Sequence, residues 1–256
     1  MSFIKKDGIR YFQFDSLTTR HAVFTRHGGV SPKPWGSLNV GGSVGDELER
    51  VRKNRQLSFH AAERAPESIF DVWQIHSADV VHARAPRPVH ESLRQADVIL
   101  TDQPKVSLFM RFADCTPIFA HDPRKGVVGV AHAGWRGTLH DVAGSMVNAM
   151  KKEYNSNPAD IVACIGPSIG PDHYEIGADV ILQVMQKFGD ESDRVLNSIN
   201  GKIHFDLWKT NKILLERAGV GQIEIAGLCT ACHTEDWFSH RAEKGRTGRF
   251  GALIAL

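Results

Sequence analysis

Cysteine is scarce in this chain. Four in 256 residues is too few for a disulfide scaffold and fits a reducing compartment. An excess of charge of one sign is missing too. Lys and Arg number 31 against 29 Asp and Glu, and a net charge of +2 gives no field for wrapping nucleic acid or docking on an anionic membrane. No apolar run approaches the roughly 18 residues of a spanning helix. The opening MSFIKKDGIRYF has two lysines but no apolar core and no small-residue cleavage site, so it does not read as a secretory signal, and a cytoplasmic location is expected. Repeats, low-complexity tracts and Pro/Gly/Ser linkers are also lacking. The nearest to a linker, His82 to Asp97, carries Ala-Pro and Arg-Pro steps and reads as a surface loop. A single domain over residues 1–256 is therefore expected. With 42% hydrophobic and 23% charged residues, the chain is neither disordered nor fibrous.

What is present is a series of short β-type runs. Ala22 to Thr25 leads into the turn cluster His27-Gly28-Gly29. Asp97 to Leu100 and Val106 to Met110 flank Thr101-Asp102-Gln103-Pro104, a pattern that predicts a hairpin. Pro117 to Ala120 and Val127 to Ala131 flank His121-Asp122-Pro123. Ile161 to Ile165 and Ile223 to Ala226 complete the set. Between them apolar residues recur at helical spacing. Leu139, Val142, Met146 and Met150 follow Gly137-Thr138, and Val180, Ile181, Val184, Met185 and Phe188 form a second stripe. Asp206 is placed to cap a third helix, and Asp46 a helix from Glu47 to Leu57. Hairpin-like pairs mixed with separated helices predict an α+β fold with mixed sheets.

Three segments carry chemistry: WQIHSADV (Trp73 to Val80), RFADCTPI (Arg111 to Ile118) and VAHAGWRGT (Val130 to Thr138). Each sets one donor beside a short strand: His76, Cys115 and His132. They are too far apart for a local finger and must converge in space. Two imidazoles and a thiolate suit zinc. Three protein ligands leave a tetrahedral position open, as in catalytic sites, where water can be acidified toward a pKa of about 7. Singly, each residue is more often a packed core residue. The same residues also allow a metal-free reading, with Cys115 as a thiolate nucleophile and His76 or His132 as its base. Gly134 and Gly137 bracket Trp135-Arg136, so backbone can approach a ligand there. A helix following the motif would aim amides at an anion, with Arg136 adding a guanidinium fork.

At these loops the chain resembles the YfiH-like, laccase-domain family, also named multicopper polyphenol oxidases and understood as purine nucleoside phosphorylases. The matching stretches are TRHGGVS, SLNVGGSVGDELERVRKNRQ, WQIHSADV, ADCTPI, AHAGWRGT, CIGPSIGPDHYEIG and the tail GLCT…WFSHRAEKGRTGRFGALIAL. They run in family order from near residue 20 to the C-terminus, and ADC-x-P with HAGWRG is a highly specific pair. The resemblance implies a four-layer α/β/β/α arrangement, two mixed β-sheets flanked by helices. It implies a Zn2+ site on His76, Cys115 and His132, which would also be the catalytic centre. It implies phosphorolysis of adenosine, inosine, guanosine and methylthioadenosine, together with adenosine deaminase activity. Purine nucleosides and phosphate are then the partners.

Phosphorolysis needs a bound anion and a stabilised leaving purine, so cationic donors should lie near the metal. Arg26 and Arg136 are the first candidates for phosphate or substrate contact, followed by Asn39, Gln74 and Arg249. Copper chemistry fits poorly, because none of the 13 histidines has another two positions away. Two alternatives remain at this level. One is a cysteine-dependent amidase or hydrolase acting on peptidoglycan precursors. The other is a non-catalytic metal-binding protein whose site is closed by His27 or His173. Asp114 either orients a ligand or caps a turn. The zinc deaminase pattern His-x-Glu with Pro-Cys-x-x-Cys is missing, so the general acid or base is unassigned. CTACH (Cys229 to His233) matches the haem-attachment pattern by chance and reads as buried thiols or a redox pair. GRTGRFG lacks P-loop spacing, and the Arg50 to Arg55 run is a solvated helix face.

Overall fold

Several strands here are buried at every position, and so on both faces. A computed structural model describes residues 1–256. The first part of the chain contributes β1 (Ser2–Lys6), β2 (Ile9–Gln13), β3 (Arg20–Phe24), α1 (Leu48–Ala61), β4 (Ile69–Asp71), β5 (Val80–His82) and β6 (Val98–Thr101). Next come β7 (Ser107–Phe112), β8 (Thr116–Asp122), β9 (Val127–Ala133), α2 (Trp135–Leu139), α3 (Val142–Tyr154) and β10 (Val162–Ile165). The last are α4 (Ala178–Phe188), β11 (Leu196–Ile199), β12 (Lys202–Phe205), α5 (Leu207–Arg217), β13 (Gln222–Ile225) and β14 (Phe250–Ala255).

Two six-stranded mixed sheets result. The first has the order β1-β2-β3-β14-β7-β4 and the second β13-β10-β8-β9-β6-β5. In the first, only β4 with β7 is parallel; in the second, β10 with β13 and β5 with β6 are parallel. Alternate side chains show how the sheets stack. Ile99, Phe119, Val128 and Val130 of the second sheet join Leu108, Met110, Phe112 and Phe250 of the first in an inter-sheet core. Their neighbours Val98, Leu100, Ile118 and Ala131 turn the other way, against α3 and α5. Phe109 and Leu253 of the first sheet turn outward and pack with Phe59 of α1. The layers are thus helix, sheet, sheet, helices: the expected α/β/β/α order.

The β8–β9 hairpin forms as predicted, and Asp206 accepts the Lys209 backbone N–H at 2.9 Å as the α5 cap. The expected β6–β7 hairpin does not form. Each of these strands is buried on both faces, and Thr101 to Val106 crosses from one sheet to the other. Asp46 does not cap α1 through N2 or N3. It is buried, and its Oδ2 accepts from Ser31 Oγ (2.6 Å) and Asn39 Nδ2 (3.0 Å). The helix expected after Gly137-Thr138 begins earlier, at Trp135, then breaks. Asp141, left-handed at φ 59°, restarts it as α3 and accepts from Gly144 N. No helix is long and apolar enough to cross a membrane.

Candidate metal centre and its cavity

Strand register sets the first donor. Pairing of β8 with β9 puts His132 opposite Pro117, two residues beyond Cys115. Pairing of β6 with β9 matches Val98 to Ala131, so Asp97 lies beside His132. The His132 backbone N–H donates to the Asp97 carbonyl at 2.8 Å, and its Nδ1 donates to Asp97 Oδ1 at 2.7 Å. That leaves Nε2 as the ring nitrogen available to an ion. Burial alone would raise the Asp97 carboxyl. Hydrogen bonds from His132, Ser77 and Ile75 outweigh it and hold the group below its usual range.

Cys115 ends the turn from β7 to β8. The preceding Asp114 is left-handed, at φ 77°. Its carboxylate accepts from Thr230 Oγ1 (2.7 Å) and the Arg241 backbone N–H (2.6 Å), pinning the turn to two distant loops. His76 comes from the loop between β4 and β5 and is itself left-handed, at φ 63°. Gln74 fixes that loop to the end of β7 by a two-way clamp: its Nε2 donates to the Arg111 carbonyl (2.8 Å), and its Oε1 accepts the Arg111 N–H (3.0 Å).

The three donors meet. Cys115 Sγ is 3.9 Å from His76 Nε2, the two imidazole centroids are 4.9 Å apart, and the donor atoms of the trio all lie within 4.8 Å of one another. Bond lengths of about 2.0–2.3 Å around a tetrahedral ion put neighbouring donors roughly 3.3–3.8 Å apart. The trio fits such an ion after a small contraction. Space is kept for it by Gly134, where a Cβ would lie 2.9 Å from Cys115 Sγ and 3.0 Å from His76 Cδ2. Burial opposes ionisation of the Cys115 thiol, but the neighbouring His132 and His76 outweigh it and bring the thiol down to about 6. Burial lowers His132, and the Cys115 and Asp97 charges raise it further than that.

The trio forms the floor of a cavity of about 490 Å³. Trp73, Trp135 and Tyr174 supply aromatic walls, Arg111, Arg241 and Arg249 supply cationic ones, and His240 adds an imidazole. Arg111 is committed to Asp71, at 3.1 Å. Arg241 donates to the Glu175 carbonyl (2.8 Å) and lies over Tyr174. Arg249 donates to the Gly248 carbonyl (2.8 Å). Neither Arg241 nor Arg249 has a carboxylate partner. Burial lowers Arg249, while the Cys115 and Asp114 charges beside it oppose that. Two larger depressions, of about 680 and 650 Å³, hold no such donor cluster.

Of the residues singled out from sequence, the cavity gathers Gln74, His76, Asp114, Cys115, His132 and Arg249. The remaining candidate contacts, Arg26, Asn39 and Arg136, lie elsewhere. Arg26 lines a separate depression, where it bonds the Gly36 and Thr234 carbonyls and pairs with Glu243 at 3.2 Å. Asn39 is fully buried and spends its amide on Gly41, Asp46 and Arg249 N. Arg136 is exposed and lies over Trp135 at 5.0 Å. The helix there, α2, has five residues, too short to present an anion site. Neither His27 nor His173 closes the trio: His27 bonds Asp236, and His173 lies with Cys229 and Cys232. Sequence reasoning missed Arg111, Tyr174, His240 and Arg241. Three of these stand inside stretches quoted for the resemblance, DHYEIG and FSHRAEK, which was the available signal.

The sequence model of the family described as multi-copper polyphenol oxidoreductase laccase matches residues 20–256. This chain belongs to that family. Among its relatives, the purine nucleoside phosphorylase of Bacteroides thetaiotaomicron is 34% identical over 270 residues, covering 100% of this chain and 99% of that one. The purine nucleoside phosphorylase YlmD of Bacillus subtilis is 35% identical, covering 91% and 86%. The crystal structure of the hypothetical protein YfiH of Bacillus licheniformis superposes with a TM-score of 0.92 at 32% identity, covering 99% and 98%. YlmD of Geobacillus stearothermophilus gives 0.90 at 32%. The laccase-family fold is therefore the four-layer arrangement described above.

Proposed function

We propose that this laccase-family protein is a zinc-dependent purine nucleoside phosphorylase that uses residues 1–256 as one catalytic domain. Walls drawn from Gly41 to Arg249 around a single cavity support that unity. The observation that carries the reading is the pair Arg241 and Arg249, two guanidiniums without carboxylate partners, facing His76, Cys115 and His132 across one pocket. A phosphate dianion would satisfy them. The names of the curated relatives point the same way.

His76, Cys115 and His132 would hold the zinc, which when bound supplies Lewis-acid polarisation. Trp73, Trp135 and Tyr174 offer π-faces for a purine. Arg249 and Arg241 would hold phosphate against the ribose side. In the reaction the bond from C1′ to the purine nitrogen breaks, a bond from C1′ to a phosphate oxygen forms, and the purine leaves with a proton. Adenosine, inosine, guanosine and methylthioadenosine are the proposed substrates. Deamination of adenosine, with water replacing the amino group and ammonia leaving, is proposed as a second activity of the same cavity. A thiol ligand that must stay reduced makes the cytoplasm the proposed setting.

A metal-free cysteine hydrolase is the rival. Its base would be His132 or His76, whose Nε2 lies 3.9 Å from Cys115 Sγ. The test is release of hypoxanthine from inosine. It should require phosphate, stop with a strong chelator, return with zinc, and fail in His76→Ala. Activity that ignores phosphate or survives chelation would overturn the proposal.

A further inference from the structure

A second group of metal donors lies outside the cavity. Asp172 and His173 sit in the loop between β10 and α4, and Cys229 and Cys232 in the loop after β13. Their donor atoms lie within 4.8 Å of one another. His173 Nδ1 is 3.4 Å from Cys232 Sγ, 3.9 Å from Cys229 Sγ and 3.1 Å from Asp172 Oδ2, and Cys232 Sγ is 3.7 Å from Asp172 Oδ2. These separations bracket the roughly 3.3–3.8 Å expected between ligands of one tetrahedral zinc.

Two backbone N–H groups reach the inner sulfur. The Gly170 N–H reaches Cys229 Sγ at 3.1 Å, and the Cys232 N–H points at the same sulfur from 3.4 Å. The second contact is the turn that a Cys-x-x-Cys spacing makes when both sulfurs face one ion. The two loops are already registered on each other: Ser168 and Cys229 form a bridge, and the Thr230 N–H donates to the Ser168 carbonyl at 3.0 Å. The donor set suits a cation: two sulfurs and a carboxylate converge on one imidazole nitrogen, and the Asp172 carboxylate has His173 as its ion-pair partner, with no lysine or arginine beside it.

We propose that Asp172, His173, Cys229 and Cys232 form a second metal site, for a borderline-soft divalent ion of the zinc class. Four protein ligands fill a tetrahedral shell, so the role is structural, unlike that of the open trio in the cavity. The ion would staple the 166–177 loop to the 228–233 loop. The first carries Tyr174 of the cavity wall. The second carries Thr230, which holds Asp114 next to Cys115.

The test counts metal in the full-length protein, purified with reductant, supplied with zinc and dialysed. Wild type should retain two zinc ions per chain, Cys232→Ser one, His76→Ala one, and the double variant none. Cobalt substitution gives a second readout: Cys232→Ser should lose part of the sulfur-to-cobalt charge-transfer band and keep the part owed to Cys115. Cys232 is exposed, so the serine variant should fold, and Asp172→Asn serves as a milder variant that weakens the second ion alone. One zinc in wild type, unaffected by Cys232→Ser, would overturn the site. So would an intact mass showing a Cys229–Cys232 disulfide whose reduction restores no second ion. Because His76→Ala should keep this ion whatever happens to phosphorolysis, failure here is separable from failure of the proposed activity.

Discussion

Asp97 and His132 are joined at 2.7 Å, and the same carboxylate secures the segment around His76. Its Oδ1 takes the His132 Nδ1–H, and its Oδ2 takes the backbone N–H groups of Ile75 (3.1 Å) and Ser77 (2.6 Å). One buried side chain therefore orients two of the three donors and holds His76 in its left-handed conformation. Asp97→Asn should lower metal affinity by about 10- to 100-fold, the usual cost of removing such a partner. Titration against a competing chelator would measure it, and an unchanged affinity would refute the role.

Gly134 is the space-keeper. Its backbone is extended, so alanine is tolerated conformationally, but the added Cβ would meet Cys115 Sγ at 2.9 Å. Gly134→Ala should bind zinc at least about tenfold more weakly, while Tm stays within about 4 °C, the shift that roughly 1 kcal/mol produces at this size. A large fall in Tm with metal binding intact would show that the site is not what the glycine protects.

Asp71 is buried among three arginines: Arg87 Nε at 2.8 Å, Arg111 Nη1 at 3.1 Å and Arg55 Nη1 at 3.7 Å. Neutralising it strands these guanidiniums, and Asp71→Asn should cost about 3–5 kcal/mol in denaturant unfolding. Because Arg111 lines the cavity, substrate KM should rise as well. A loss below about 1 kcal/mol would mean that solvent already screens the cluster.

His21 is buried with both ring nitrogens engaged. Nε2 accepts from the Phe14 N–H at 2.9 Å, and Nδ1 donates to the Thr19 carbonyl at 2.8 Å. Burial pushes its pKa below 6.5 in the folded chain. The unfolded chain then takes up the proton first, so this residue's contribution to stability is whole above about pH 6.5 and declines as pH falls through that value. Nitrogen chemical shifts of His21 should titrate with a midpoint below 6.5 in the folded chain. A ring that titrates at the ordinary value would contradict this.

Much of the candidate site was legible beforehand. The trio is named by donor chemistry and by motif, and the β8–β9 hairpin by two apolar runs around Asp122-Pro123. The hairpin drawn through Thr101 to Val106 failed because strands buried on both faces lack the alternation that would assign them to a sheet. Arg26 and Arg136 looked like phosphate ligands because charge beside a glycine motif is visible in sequence, whereas a Glu243 partner 217 residues away is not. Asn39 was indistinguishable from a binding amide until burial showed what it bonds.

The sequence by itself determined some local pieces: seven of the fourteen strands, where Asp206 starts a helix, and that two imidazoles and a thiol are available beside strand ends. Those are short-range matters of propensity, capping and donor type. Only the tertiary structure decided that His76, Cys115 and His132 share one point, that Arg241 and Arg249 face them unpaired, and that Asp172 and His173 meet the Cys229–Cys232 turn. Each depends on how two stacked sheets bring distant loops to the same end. That arrangement is set by packing of both strand faces at once, which no single stretch of residues encodes.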